Sequence, residues 1–162
     1  MEINLLNYTK NKVIDIEIDL DNLNETYKNS TVSKFNKISG TITIEPVKDI
    51  YLLKFSIETN LTLLSSLSLK EFNKDLNINE ELFVTTNKDL ESEETMFTSN
   101  SLDIDNLIYS FIITNLPIKL YAPNEESINN EDYRVIKEED LIKEKDNSNN
   151  PFDILKDLDL DK

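Results

Sequence analysis

Residues 51–69 constrain the fold more than any other stretch. The odd positions read Tyr51, Leu53, Phe55, Ile57, Thr59, Leu61, Leu63, Ser65, Leu67 and Leu69, while the even positions are mostly polar, from Lys54, Ser56 and Glu58 to Ser66 and Ser68. A period of two is that of a strand with one face in the core and one in water. One straight strand of 19 residues would span roughly 60 Å at ~3.3 Å per residue, too long for a chain of this size. The stretch is therefore expected to bend or break near Asn60 or at residues 64–66.

Shorter alternations lie on either side. Ile14, Ile16, Ile18 and Leu20 interleave with Asp15, Glu17 and Asp19, and Ile42 and Ile44 repeat the pattern. "NKDLNINEELFVTT" reads as two short strands about a turn at Asn79 and Glu80, and residues 87–101 as a loop. The period then changes. Ile104, Leu107, Ile108, Phe111 and Ile112 follow helical spacing, with Asp103 or Asp105 placed to cap the first turn. Pro117 drives Leu116 out of helical geometry and ends the element. The expectation is an α+β fold: an antiparallel, strongly bent sheet or partly open barrel with one packed helix near 105–116.

The domain reading follows. Residues 1–121 form a β-rich core, and residues 122–150 an acidic, polar segment too poor in apolar surface to offset its ordering entropy, hence mobile. Residues 151–162 are expected to form a short C-terminal helix, capped by Asn150 and opened by Pro151, with Phe152, Leu155 and Leu158 docking on or near the core or, equally, in a partner's groove. Together these make a single domain.

Composition removes whole classes of chemistry. There is no cysteine and no histidine, so disulfides, thiolate metal sites, imidazole catalysis and serine–histidine relays are not expected. Gly40 is the single glycine, too few for a dinucleotide fingerprint or a phosphate loop. No cofactor, metal or small-molecule substrate is anticipated. Thirty-two acids against 17 bases give a net charge of −15, which repels nucleic acid on average and suits a basic protein partner. "MEINLLNYTKNK" lacks the pattern of a signal peptide. The longest apolar run, residues 107–113, falls well short of the ~20 residues of a membrane helix. The expected setting is cytoplasmic, with no membrane contact.

Some carboxylates and aromatics invite sharper readings. Asp15, Glu17 and Asp19 would share one strand face, but the stretch lacks the glycine and ligand offsets of a calcium loop; "DLDLDK" at the end fails likewise. Glu125 and Glu126 could be an acid–base pair, although adjacent loop acids are usually only solvated, and an enzyme is not expected. Tyr109, Phe111 and Tyr121 could stack on bases, yet only Lys119 lies close to supply positive charge. Tyr121 and Lys119 are kept as candidate partner contacts.

Three segments in order, "LTLLSSLSLKEF", the capped helix running into "LPIKLYAPNEE", and "NPFDILKDL", resemble the YceD-like bacterial family, named for accumulation of large-subunit ribosomal RNA. The motif residues carried over are Ser65, Leu67, Leu69, Leu116, Pro117, Glu125, Glu126, Asn150, Pro151, Phe152 and Leu155. Ser65 stands where relatives often carry cysteine, and the further cysteines of some members are missing. No thiolate metal role is expected, and the alternation places Ser65 on the apolar face as a small buried residue. The resemblance implies a non-enzymatic part in ribosomal RNA accumulation during large-subunit assembly. It leaves open whether the partner is a ribosomal precursor, its RNA touched directly, or a basic ribosomal protein. The competing reading is an acidic protein-binding module unrelated to the ribosome.

Overall fold

The computed structural model describes residues 1–129, 134–137 and 140–142. In chain order the elements are β1 (Glu2–Asn4), β2 (Lys12–Asp15), α1 (Leu20–Thr26), β3 (Val32–Val47), β4 (Ile50–Leu64), β5 (Glu71–Thr85), β6 (Thr95–Phe97), β7 (Ser101–Asp103), α2 (Ile104–Asn115), β8 (Ile128–Asn129) and β9 (Arg134–Val135). The central sheet has the order β2-β3-β4-β5-β6, and β1-β7 and β8-β9 form two-stranded pairs.

The long alternation becomes β4, which ends at Leu64, one of the two places where a break was expected. Leu53, Phe55, Ile57, Thr59, Leu61 and Leu63 all point into the core. Opposite them on β3 stand Ile44, Ile42, Gly40, Ile38, Phe35 and Val32. Each large apolar side chain buried in this way contributes about 1.5–3 kcal/mol. Ile3, Leu5, Leu23, Leu102, Ile104 and Ile108 close the core from β1 and the turn after it, from β7 and from the two helices.

Gly40 answers a packing need. A Cβ there would lie 2.1 Å from the Ser56 carbonyl oxygen, and its φ of +158° is one that side chains avoid. β3 and β4 approach so closely at this point that only glycine fits.

Several expectations are corrected. The central sheet is mixed, because β6 joins β5 in parallel, and it is not closed into a barrel. The strand expected to run on through Leu20 stops at Asp15. Asp19 instead caps α1, its side chain accepting from the amides of Asp21 and Asn22, because an aspartate beside free first-turn amides offers them a partner. Among the described residues α1 thus joins α2 as a second helix on the core. No turn forms at Asn79 and Glu80, and β5 runs unbroken against β4 from Glu71 to Thr85. Its polar residues at 73, 77 and 79 belong to the exposed face of one strand. The expected loop at 87–101 contains β6 and the start of β7.

α2 begins one residue before the expected helix and is capped by Asp103, which accepts from Asp105 N and Asn106 N. Leu116 ends it in extended geometry, as the following proline requires. Asn150, Pro151, Phe152 and Leu155, and with them the terminal helix, lie outside the described residues.

Candidate functional site

The turn after β4 meets the segment after α2. Ser66 N donates to Leu120 O at 2.7 Å, and Leu120 N donates to Ser66 Oγ at 3.0 Å. Leu120 is buried by this exchange. It anchors a short loop in which Pro117 and Lys119 are exposed and Ile118 is 99% exposed.

Behind that junction sits Ser65, fully buried. Its hydroxyl donates to Glu125 Oε2 at 2.5 Å and accepts from Leu67 N at 3.1 Å and Ser68 N at 3.3 Å. Glu125 Oε2 also accepts from Ala122 N at 3.0 Å. Lys137 Nζ donates to the Glu125 carbonyl oxygen and lies 5.6 Å over the Tyr121 ring. Ser127 ties in the following turn, accepting from Lys137 N at 3.2 Å and donating to Asp140 Oδ2 at 2.8 Å.

The electrostatics of Glu125 decide what this cluster can do. Burial pushes its carboxyl up. The Ser65 and Ser68 hydroxyls, the Ala122 amide and the Lys137 charge outweigh that and hold it below the usual glutamate range. Oε1 is shielded from solvent with no hydrogen-bond partner among the described residues, so Ser68 acts without closing a formal bond. A carboxylate held ionised in this way is a poor proton donor and a weak base. Ser65 has spent its proton on Glu125 and its lone pairs on two amides. The pair is a clasp between two segments, not a nucleophile and its base.

Ser65 and Glu125 meet, and the loop after Leu116 and Pro117 joins them through Leu120. Leu67 is half-buried and Leu69 is 74% exposed, with a φ of 58° where the turn reverses into β5. Glu126 is exposed, so the adjacent acids have opposite fates. Tyr121 is half-buried under Lys137, and Lys119 sits in the exposed loop. Tyr109 stacks on Tyr27 with ring centroids 4.4 Å apart, and Phe111 meets Phe55 edge-on at 5.0 Å. Both rings are thus engaged within the molecule. Asp15 ends a strand and Asp19 caps a helix, so Asp15, Glu17 and Asp19 do not share the one strand face expected of them. Among the described residues no three acids are grouped to hold a metal ion.

Sequence reasoning missed Lys137, whose ammonium joins Tyr121 and the Glu125 backbone. It also missed the polar ladder on the wet face of the sheet. There Asn36 Nδ2 donates to Asn60 Oδ1 and Thr62 Oγ1, both at 2.9 Å. Asn60 Nδ2 donates to Asp75 Oδ1 at 2.6 Å, and Ser33 Oγ to Glu71 Oε1 at 2.5 Å. Ser33 and Asn36 are the residues at which the β3 register slips. The alternation of Asn73, Asn77 and Asn79 with Glu71, Asp75 and Glu81 along β5 was the available signal for this face.

A model of one protein family, described as large ribosomal RNA subunit accumulation protein YceD, matches residues 53–159. That span takes in the Ser65 turn, the loop after α2 and the Glu125 clasp. No curated protein and no solved structure matches the chain.

Proposed function

The chain belongs to the YceD family of large ribosomal RNA subunit accumulation proteins, and we propose that it supports assembly of the large subunit without catalysis, by holding a basic protein partner of the precursor. The observation that carries this reading is the clasp. The Ser65–Glu125 hydroxyl–carboxylate pair inside the matched region is consumed by internal hydrogen bonds, and the junction beside it displays a loop with Ile118 in water. A net charge of −15 draws basic surfaces and speeds their encounter. Lys119, exposed in the same loop, and Tyr121, half-buried under Lys137, are the polar and aromatic candidates for that contact.

Depletion of the protein followed by a ribosomal-subunit profile tests the reading. Large subunits are expected to fall relative to small ones, and the protein to sediment with large-subunit precursors. Normal large-subunit levels would remove the proposal. A protein that stays out of the precursor fractions while capturing a basic protein elsewhere would be an acidic binding module unrelated to the ribosome.

A further inference from the structure

The central sheet has two edges, and the chain treats them differently. On one side β2 covers β3 over only four residue pairs, from Lys12↔Ile44 to Asp15↔Thr41. Beyond it β3 bulges twice, between Val32 and Lys34 and between Phe35 and Lys37. Asn24, projecting from α1, then occupies both backbone groups of Phe35: its Oδ1 accepts from Phe35 N at 2.8 Å and its Nδ2 donates to Phe35 O at 3.1 Å. A short cover strand, bulges and a side-chain plug are devices that stop another strand from pairing.

On the other side the cover strand is shorter still, and among the described residues there is neither a bulge nor a side-chain plug. β5 keeps one continuous register with β4 from Glu71 to Thr85, and β6 covers it only at Phe83, Val84 and Thr85. Among the described residues, no backbone hydrogen bond reaches the outer edge of residues 71–82. Along those 12 residues the amides and carbonyls of every second residue face outward, over roughly 40 Å, and have no backbone partner among the described residues.

The side chains along that edge state what fits. Residues 71–82 hold four acids and one base. Glu71, Asp75 and Glu81 lie on the wet face, opposite Leu64, Asn60 and Lys54 of β4. Glu71 and Asp75 are oriented by the neutral donors Ser33 and Asn60, and neither enters an ion pair among the described residues. On the core face Phe72, Leu76 and Leu82 remain half-buried at the open margin.

We propose that the open edge of β5 at residues 71–82 accepts an extended segment of a basic partner protein as an added strand. The segment carries Lys or Arg at alternate positions over the acid row and apolar side chains at the others, extending the core margin. Main-chain bonds supply affinity and the alternating pockets supply specificity. A second copy of this chain is disfavoured, because pairing two such edges sets one acid row against another. Nucleic acid is disfavoured by the same acids. The proposal rests on the reading of a basic partner above and names where and how that partner is held.

The test uses the full chain and a fluorescent nine-residue peptide of alternating Lys and Val, capped at both ends. Hydrogen exchange is expected to show new amide protection within residues 71–82. Two N-methylated versions, each blocking one alternate set of peptide amides, separate strand pairing from charge attraction. One is expected to bind at least about tenfold more weakly and the other to bind nearly as well as the parent, since only one set faces the edge. E71Q/D75N, which keeps both acceptors, is expected to weaken binding about three- to tenfold. Equal binding by both methylated peptides, protection elsewhere in the chain, or stronger protection of this edge by polyuridine would overturn the proposal. The two readings fail separately. If depletion lowers large subunits but E71Q/D75N restores them fully, the edge is not the contact and the assembly role stands. If depletion changes nothing, the assembly role falls whatever the peptide shows.

Discussion

The Ser65 hydroxyl lies 2.5 Å from Glu125 Oε2 across 60 positions of sequence, and it joins the β4–β5 turn to the segment that follows α2. Removing either partner leaves the other group shielded from water without its bond.

Ser65→Ala leaves Glu125 Oε2 with the Ala122 amide alone and takes the acceptor from the amides of Leu67 and Ser68. The expected loss is about 2–3 kcal/mol, the cost of leaving buried polar groups unpaired. Ser65→Cys keeps a weak donor in a slightly larger side chain and is expected to cost less. Urea denaturation of Ser65→Ala, Glu125→Ala and the double variant gives the coupling; additive losses would show that the bond contributes nothing of its own.

Acid stability follows from Glu125. Its folded carboxyl ionises more readily than an unfolded one, so its contribution is complete above the unfolded glutamate range. It drains away as pH falls through the lower folded value. The stability advantage of the native chain over Glu125→Gln is therefore expected to be full near pH 7 and to shrink below roughly pH 4. The other carboxylates titrate in both proteins and cancel in the difference. An advantage that grows toward low pH would contradict the assignment.

Gly40→Ala forces a methyl group against the Ser56 carbonyl. The strands must part or the backbone must shift, and a cost of about 2–4 kcal/mol is expected. Thermal unfolding measures it; a change within about 0.5 kcal/mol would mean that β3 and β4 give way easily here.

How much of this was legible depends on what each pattern encodes. β4 was plain because its period holds to Leu63 with one face buried throughout. α2 was plain because Asp103 and Pro117 mark its ends. β3 was only partly visible. Its bulges space Val32, Phe35 and Ile38 three apart, which imitates a helix, and only Ile42 and Ile44 keep the strand period. The alternation from Ile14 to Leu20 crosses from a strand into a helix because Asp19 serves equally well as a strand residue and a cap. At the site, the segments bearing Ser65, Leu116, Pro117 and Glu125 were recognisable in sequence. The bond between Ser65 and Glu125 was not, since a contact over that distance leaves no spacing to read. Lys137 was hidden for the same reason.

Asn24→Ala removes both side-chain bonds to the Phe35 backbone and a third to Leu20 O. A loss of about 1–3 kcal/mol is expected, with concentration-dependent association that light scattering would detect. A variant that is less stable but stays monomeric at all concentrations would limit Asn24 to holding α1.

Ile118→Ser changes a side chain that touches almost nothing, so stability is expected to stay within about 0.5 kcal/mol. Sedimentation with large-subunit precursors is expected to weaken severalfold if the loop is a contact. Unchanged sedimentation would move the contact away from Ile118.

The Asn24 plug on β3 also bears on how this chain avoids polymerising. A filament of stacked sheets needs two receptive margins on every unit, one to receive a neighbour and one to pass the chain of contacts on. This molecule has one margin sealed. Edgewise stacking of copies therefore lacks a second receptive margin at Phe35, and the acid row on β5 opposes even the first addition of a like chain.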